Sequence, residues 1–434
     1  MRHFLSGLLV IIILLLKISV VAQEHADTNK QVQHIKSKKS DCKPRDILDL
    51  LLSKPLLEPS KEKWFNYIVI PFLGYTPATG LQIGAGASFS LKTSIGTNTK
   101  LSAANFQVYY TLKNQLVSQL KSNIYTYKNL WFLQGDWRLY IFQQPTYGLG
   151  TSGQHFSPMS SDPQGTMIDN QLNGKYPMKY NWFKFHEICS RKITSDFYAG
   201  LGFHLDYHFS IKDEALHTDS GILYTTPHYS YSLANGFDDE EYISSGISAN
   251  FVYDTRDDIV NPYKGYYVNV NYRTNFKWLG SNQNGSLLWT EFRTYIGLSK
   301  KMPRHLVAFW TYGSFQVSGK IPYLDLMANA FDQGNSSGRG YSQGRWRGQD
   351  FVYGEAEYRF PISQCSQILG GVVFINCTTA SDRDQHIPLF GYFKPAGGIG
   401  LRVMVMKEGR TNISMDYAVG DGSKGFYFQV AEIF

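Results

Sequence analysis

The chain has 434 residues and a formal net charge of +7, without an obvious basic block. This length allows several domains or one large barrel, and the mild charge argues against a nucleic-acid-binding arm. Mean hydropathy is -0.27 and aromatic residues make up 15% of the chain. A secreted soluble protein or a transmembrane β-barrel would fit this composition, because alternation dilutes the apolar residues of a barrel.

The first part of the chain predicts export. An apolar run at residues 4–16 is short for a spanning helix, and residues 20–22 are small or branched before Gln23. We therefore expect a signal peptide at residues 1–22. Residues 23–64 are polar and predict a flexible periplasmic lead-in, with a short helix at about 46–52.

Residues 65–434 are predicted to form a barrel. Apolar and polar residues alternate in segment after segment, as in 351–362, where Glu355 and Glu357 share the face opposite Val352. No helical period of adequate length interrupts these segments. Short turns also alternate with long loops, and the loops fall at about 144–175, 210–242, 318–350 and 378–391. Outer-membrane barrels show this asymmetry, and the count closes at sixteen antiparallel strands, an all-β fold.

Three residues on one predicted strand resemble metal ligands. His204, Asp206 and His208 alternate, so they should share the inward face. A polar lumen supplies the same residues without a metal, and we favour that interpretation. The sequence contains no phosphate loop, zinc pattern or dinucleotide fingerprint. We expect no metal, no cofactor and no enzymatic activity.

Two other stretches suggest local contacts. In YDTRDDIVNPYKGYY, Asp254 and Arg256 end one strand and should pair, while Pro262 and Gly265 shape the following turn. That motif alone predicts a well-formed periplasmic turn.

The loop before residues 351–362 carries Arg339 among glycines. Our central hypothesis is that Arg339 enters the barrel lumen and meets Glu357. Glu355, on the same face, and Arg359 are competing partners.

These motifs resemble the barrel domain of the BamA/TamA/FhaC superfamily, also called the bacterial surface antigen barrel. The resemblance covers about residues 66–434 and rests on YDTRDD with NPYKGYY, GRGY, GEAEYRFPI and the ending GSKGFYFQVAEIF. It implies a sixteen-stranded outer-membrane barrel. In that barrel Arg339, Gly340 and Tyr341 would be tucked inside as the loop motif, with Glu357 as the carboxylate on strand twelve.

Two departures from the family pattern stand out. Asn376 occupies a position where the family often has an aspartate, and we expect it to be a neutral acceptor for Arg339. Members that assemble or export proteins usually carry POTRA domains before the barrel. Residues 23–64 are too few for one such domain, so we expect a stand-alone barrel.

The first and last strands of the predicted barrel should meet in a weak junction, or seam. Pro71 lies in the first strand and lacks an N–H, so pairing with the last strand should be short near it. One face of the closing strand is predicted to carry Phe426, Phe428, Val430 and Phe434. This ending resembles the signal by which the cell's assembly machinery recognises outer-membrane barrels.

The expected function is assistance in inserting or translocating proteins or other envelope components, without covalent chemistry. The alternative is a gated pore or lipid-handling channel without client proteins. Outer-membrane lipid is the expected partner, together with other outer-membrane or periplasmic proteins. The oligomeric state is left open.

Overall fold

The structure is a computed structural model that describes residues 65–76, 80–91, 93, 99–153, 174–218, 224–331, 336–363, 366–407, 410–430 and 432–434. The predicted signal peptide and lead-in, residues 1–64, lie outside the described residues. Within this part of the chain, sixteen strands form one antiparallel sheet that closes into a barrel. The all-β, sixteen-stranded fold predicted from the sequence is therefore confirmed.

The strands follow one another around the barrel in chain order. They are β1 (Phe65–Thr76), β2 (Gly80–Leu91), β3 (Ser102–Thr111), β4 (Leu116–Tyr125), β5 (Trp131–Thr146), β6 (Tyr176–Lys192), β7 (Phe197–Asp213), β8 (Tyr242–Asp254), β9 (Gly265–Asn275), β10 (Gly285–Gly297), β11 (Leu306–Gly319), β12 (Asp350–Pro361), β13 (Leu369–Ala380), β14 (Lys394–Met406), β15 (Thr411–Gly420) and β16 (Ser423–Val430).

Alternation of side chains explains why these segments form a barrel wall. In β5, Arg138 and Tyr140 are buried, whereas Trp137 and Ile141 are exposed on the other face. Successive residues of a strand point to opposite faces, so one row fills the lumen and the other faces outward. The outward row is apolar, as expected of a wall that meets lipid.

The connections between strands differ in length at the two ends of the barrel. Long ones, 147–175, 214–241, 320–349 and 381–393, share one end, which we call the long-loop rim. At the opposite end, the short-turn rim, β6 and β7 are joined by four residues, 193–196. This is the arrangement that the loop lengths predicted.

The described residues include one α-helix, in a connection between two strands. Helix α1 (Pro227–Asn235) lies in the β7–β8 connection. Thr226 caps it by accepting from the N–H of Tyr229, and Pro227 occupies its first turn. Its nine residues are too few to show a helical period of adequate length, and because it lies in a connection it interrupts none of the predicted strands. The described residues contain no helix long and apolar enough to cross a membrane.

The seam between β1 and β16 is the weakest junction described in the wall. Its register consists of one residue pair, Tyr75 opposite Phe428. On its other side β1 pairs with β2 without interruption from Phe65 to Thr76, and Pro71 lies opposite Ala85. The barrel is thus closed by a contact much shorter than the other ladders.

Candidate functional site

The connection between β11 and β12, residues 320–349, packs inside the lumen through its described residues, 320–331 and 336–349; we call it the lumen loop. Its Ile321, Tyr323 and Leu326 belong to a buried cluster with inward side chains of the wall such as Tyr140 and Trp182. Backbone groups of a buried loop need partners, and a long buried side chain supplies several of them here.

That side chain is Arg347, which is 1% exposed. Its Nη1 donates to the carbonyl oxygens of Tyr323, Leu324 and Leu326 at 3.0, 3.1 and 2.7 Å. The two legs of the lumen loop are also joined by a bridge between Ala328 and Arg347. These contacts hold the loop folded back on itself inside the barrel.

Gly340 permits the turn that aims the neighbouring arginine. Its φ is +103°, and a Cβ there would lie 2.7 Å from the Cβ of Ala396 on β14. A side chain is excluded both by the conformation and by the approach of the wall.

The guanidinium of Arg339 lies among three carboxylates. Nη1 donates to Asp416 at 2.6 Å, and Nη2 contacts both Glu355 and Glu357. Arg339 is 2% exposed, and its guanidinium stacks 3.5 Å from the ring centroid of Phe374. The structure thus places Arg339 beside the predicted Glu357, beside its competitor Glu355, and beside an acid of β15 that sequence reasoning missed.

Two further arginines complete the charge arrangement. Arg359 contacts Glu357 at 2.6 Å, and Arg402 contacts the other oxygen of Asp416. Glu357 and Asp416 therefore each bridge Arg339 to a second guanidinium. Paired in this way, buried charges avoid the large penalty of an isolated buried ion.

Asn376 has a different role from the expected one. Its Nδ2 donates to the main-chain oxygen of Arg339 at 2.9 Å, and its Oδ1 has no hydrogen-bond partner. The expectation of a neutral acceptor for the guanidinium was wrong, because Nη1 and Nη2 contact the three carboxylates and Oδ1 of Asn376 accepts no hydrogen bond. Asn376 instead holds the loop backbone. We call Arg339, Glu355, Glu357, Asn376 and Asp416 the lumen lock.

Tyr341 joins the lumen loop to the wall near the seam. Its hydroxyl donates to the carbonyl of Pro395 at 2.6 Å and accepts from the N–H of Asp421 at 3.1 Å. The adjacent N–H of Gly340 donates to the Tyr427 hydroxyl of β16 at 2.9 Å. The loop motif is therefore bound to β14 and to the closing strand.

The last residues lie inside the barrel, contrary to the expectation for Phe434. β16 ends at Val430, and Phe434 is 5% exposed, with its ring 5.2 Å from that of Trp310. By contrast, Phe426 is 45% exposed on the outer face. Placing Phe434 on the same strand face as Phe426 was wrong, because the chain leaves the wall after β16 and turns into the lumen.

Polar contacts hold this segment, residues 432–434, which we call the tail. Glu432 pairs with Arg402 at 2.8 Å, and the main-chain oxygen of Phe434 accepts from Arg359 at 3.0 Å. Ser336 of the lumen loop donates to the main-chain oxygen of Ile433 at 3.1 Å. Arg359 and Arg402 thus each contact both the tail and an acid of the lumen lock.

The turn motif lies at the short-turn rim. Arg256 donates to Asp254 through Nε at 2.9 Å and Nη2 at 2.8 Å, and Pro262 is buried. Gly265 has φ +109°, and a Cβ would lie 2.4 Å from the oxygen of Thr255. These are local contacts of a tight turn, distant in sequence from the lumen lock.

Asp257 ties the same turn to another one. Burial raises the pKa of Asp257, but hydrogen bonds from Arg410 and from the N–H groups of Tyr263 and Lys264 lower it below its ordinary value. The Arg410 contact, at 2.9 Å, links the β8–β9 and β14–β15 connections.

The three alternating residues of β7 point inward, and they form polar pairs. Asp206 contacts His186 at 2.8 Å and Arg273 at 2.6 Å, while His204 contacts Ser248 at 2.6 Å. His208 lies 3.3 Å from Asp325 of the lumen loop. Among the described residues, no group of three or more His, Cys, Asp or Glu side chains is arranged to hold a metal ion. Several of these residues line a lumen cavity of about 230 Å³.

An antiparallel barrel whose lumen holds an arginine-bearing loop defines a class of outer-membrane barrel. Residues 82–434 match the Omp85 superfamily domain, and the chain belongs to that superfamily. This confirms the family inferred from the sequence motifs.

Three solved structures are similar to this chain to different extents. BamA from Haemophilus ducreyi lacking POTRA domains 1-3 is similar with a TM-score of 0.52 and 14% identity, over 86% of this chain and 70% of that one. CdiB from Acinetobacter baumannii has a TM-score of 0.49 and 11% identity, over 85% of this chain and 60% of that one. CdiB from Escherichia coli has a TM-score of 0.49 and 9% identity, over 86% and 64%. No curated protein matches the chain significantly.

Proposed function

We propose that this protein assists the insertion or translocation of polypeptides at the outer membrane by opening the wall between β1 and β16. Barrels of the Omp85 superfamily reside in the bacterial outer membrane and take part in protein insertion or secretion. The observation that carries the proposal is that one residue pair, Tyr75 with Phe428, joins the two strands among the described residues. An unpaired strand edge is a template for another strand, so an opened seam would accept one.

The lumen lock supports this mechanism. Because β1 contributes little to closure, β16 is held by its ladder with β15 and by contacts from inside the barrel, which Tyr427 and the tail receive from the lumen loop. The mechanism would require no covalent step: contacts inside the lumen release, and the seam separates.

A disulfide across the seam tests the proposal. Residues directly opposite each other on antiparallel strands lie within disulfide range, so Tyr75→Cys with Phe428→Cys should form a bond in a background with the native cysteines replaced by serine. The assay adds an unfolded outer-membrane barrel to proteoliposomes that contain this protein. The folded fraction of the added barrel is measured by its heat-modifiable mobility on gels.

We expect oxidation to abolish the assistance and reductant to restore it. The matched control joins β15 to β16 through Met415→Cys and Phe428→Cys, which face each other in a continuous ladder. Oxidation of that pair should leave the assistance unchanged. Assistance that persists with the seam closed would overturn the proposal.

The second candidate is a gated pore or lipid-handling channel without clients. The lumen cavity, whose lining includes the charged side chains of Lys184, Asp206 and Arg273, favours it. A pore would conduct ions in planar bilayers with the seam disulfide closed, and its conductance would rise when Arg339→Ala loosens the loop. Both results together would favour the pore over the seam mechanism.

A further inference from the structure

The outer face of β6 carries a carboxyl group in an apolar surrounding. His186 and Ile188 line the lumen cavity, so the residue between them points outward. That residue is Glu187. Its neighbours on the outward row include Phe183, which is 38% exposed, and Cys189, which is exposed and free.

Glu187 lies within the apolar band of the wall. It pairs in register with Gly135 of β5, and β5 exposes Trp131 and Ile141 on either side of that position. On the other side it pairs with Phe203 of β7. The carboxyl group therefore lies between apolar outward side chains on both sides, five residues from the short-turn end of β6.

This position is unusual among the strands that the structure describes. Their other outward Asp, Glu, Lys and Arg side chains lie near strand ends, as Lys179, Arg191 and Lys424 do. Strand ends reach the polar interface, whereas a lipid-facing charge near the middle of a barrel wall is destabilising. Ionisable residues at membrane depth generally have a functional partner.

The carboxyl group lies in a polar notch. Nε1 of Trp137 donates to Oε1 of Glu187 at 2.7 Å. A Cβ on Gly135 would lie 2.8 Å from Oε1 of Glu187 and 2.6 Å from Oγ of Ser122. The glycine thus leaves room for a carboxyl, a hydroxyl and an indole N–H side by side; we call this the β6 notch.

We propose that the β6 notch is the contact between two copies of this chain within the membrane. In hydrocarbon the uncharged carboxylic acid is the cheaper form, and it has both a donor and an acceptor to satisfy. Trp137 satisfies one acceptor. Lipid tails offer no hydrogen bond, and headgroups lie about 15 Å from the bilayer centre.

A second copy of the notch supplies what is missing. A two-fold contact requires a self-complementary surface, and a site with both donor and acceptor meets that requirement. The hydroxyl of the Glu187 carboxyl in one copy would donate to the carboxyl or Ser122 oxygen of the other, and reciprocally. Exposed apolar residues around the notch, among them Leu139 and Leu201 at 42% and 71% exposure, would pack in the same contact. The β6 wall is several strands away from the β1–β16 seam, which stays free.

Cys189, two residues from Glu187 on the same face, provides a native reporter. The experiment uses full-length protein in proteoliposomes, with Cys42, Cys365 and Cys377 replaced by serine, and a short bifunctional thiol reagent. Its matched control retains Cys377, an outward cysteine of β13, as the single thiol. A series of lipid-to-protein ratios separates specific association from random collision.

We expect the Cys189 protein to form a covalent dimer that persists on dilution with lipid, and the Cys377 protein to form none. Glu187→Gln keeps a donor and an acceptor and should retain the dimer. Glu187→Leu should weaken association about threefold to tenfold, the range for a hydrogen bond within a membrane. Both variants are checked for folding by heat-modifiable mobility.

Equal cross-linking through Cys189 and Cys377, or a Glu187→Leu protein that dimerises as well as its parent, would overturn the proposal. Cross-linking in native membranes that links Cys189 to a different protein and not to a second copy would overturn it as well. None of these outcomes depends on the insertion activity proposed above.

Discussion

At the scale of single residues, the charge balance of the lumen lock determines which contacts matter. Glu357 and Asp416 each contact two arginines, whereas the second partner of Glu355 is the hydroxyl of Tyr353. Arg339 is the group that all three acids share. Removal of Arg339 would leave three acids facing one another, with the remaining arginines at their outer edges. We therefore expect substitution of Arg339 to destabilise the lumen lock more than substitution of any other member.

A double-mutant cycle tests this arrangement. Breaking a buried ion pair on one side typically costs roughly 3–5 kcal/mol. Thermal unfolding is measured by heat-modifiable mobility on gels. We expect Arg339→Ala to lower the unfolding midpoint more than Glu357→Ala does, because Arg339 has two other acids beside it. The double variant should lose less than the sum of the single losses.

Arg345→Ala is the control for that cycle. Arg345 belongs to the same loop and stacks on Tyr147 and Trp346, with 4.5 Å from its guanidinium to each ring centroid. Its removal deletes the same charge without exposing the three acids. An Arg339→Ala protein as stable as Arg345→Ala, or strictly additive losses in the cycle, would contradict the shared-partner arrangement.

A second residue-scale prediction concerns Asn376→Asp, the change towards the family pattern. Asn376 donates to the main-chain oxygen of Arg339, and a carboxylate has no N–H to donate. It would also add a fourth acid to the lock. We expect a loss of about 1–3 kcal/mol, the usual cost of an unsatisfied buried group.

The comparison variant for this prediction is Asn376→Asp combined with Glu355→Gln, which restores the number of acids. It should recover part of the loss and not all of it, because the hydrogen bond to the backbone stays broken. An Asn376→Asp protein that unfolds at a higher temperature than its parent would show that charge, and not donation, decides the role of this position.

The sequence predicted the partners of Arg339 that lie on β12 and missed its partner on another strand. Glu355 and Glu357 could be named because period-two alternation places both on the inward face of β12. Asp416 is also inward by alternation, but its approach to Arg339 depends on the path of a loop that no local pattern encodes. The same holds for Asn376, whose donor role depends on where the loop backbone runs.

At the scale of elements, the lumen loop, β16 and the tail behave as one packed unit. Tyr427 of β16 contacts Gly340, Ser336 contacts Ile433, and Phe434 packs with Trp310 and Tyr295. Alternation predicted the strands well, because every second residue must satisfy the same environment over ten or more positions. It gave no indication of the tail, where the chain leaves the wall and the period ends.

A prediction about the tail distinguishes two roles of Phe434, packing in the folded barrel and recognition during assembly. Phe434→Ala should lower the midpoint of thermal unfolding by the equivalent of about 3–5 kcal/mol, the usual cost of emptying a buried aromatic site. Phe426→Ala should change it much less, because that ring is 45% exposed on the outer face. The yield of folded barrel in the membrane is measured for both.

Equal losses of folded protein in Phe434→Ala and Phe426→Ala, with unchanged unfolding midpoints in the protein that does fold, would contradict the packing role. That result would favour a recognition signal in which both aromatics are read during assembly.

At the scale of the whole molecule, the barrel is closed unevenly. Most neighbouring strands share continuous ladders, as β5 and β6 do from Trp131 to Thr146, whereas β1 and β16 share one residue pair among the residues that the structure describes. We therefore expect the lumen lock to stabilise closure from inside. An even strand number and the sorting of long loops to one rim were predictable from the sequence. The length of the seam was not, because it depends on where two distant strands diverge.

Uneven closure predicts uneven protection of the backbone. Local stability follows the number of hydrogen bonds and contacts that must break together. In hydrogen–deuterium exchange of the protein in lipid, we expect amides of β1 and β16 to exchange much faster than those of β5 and β6. Arg339→Ala should accelerate exchange in β16 further, because the contacts through Tyr427 and the tail loosen with the lumen loop. It should leave β5 and β6 unchanged. Uniform protection around the barrel, or an Arg339→Ala protein with unaltered exchange in β16, would refute the claim that the loop holds the seam closed.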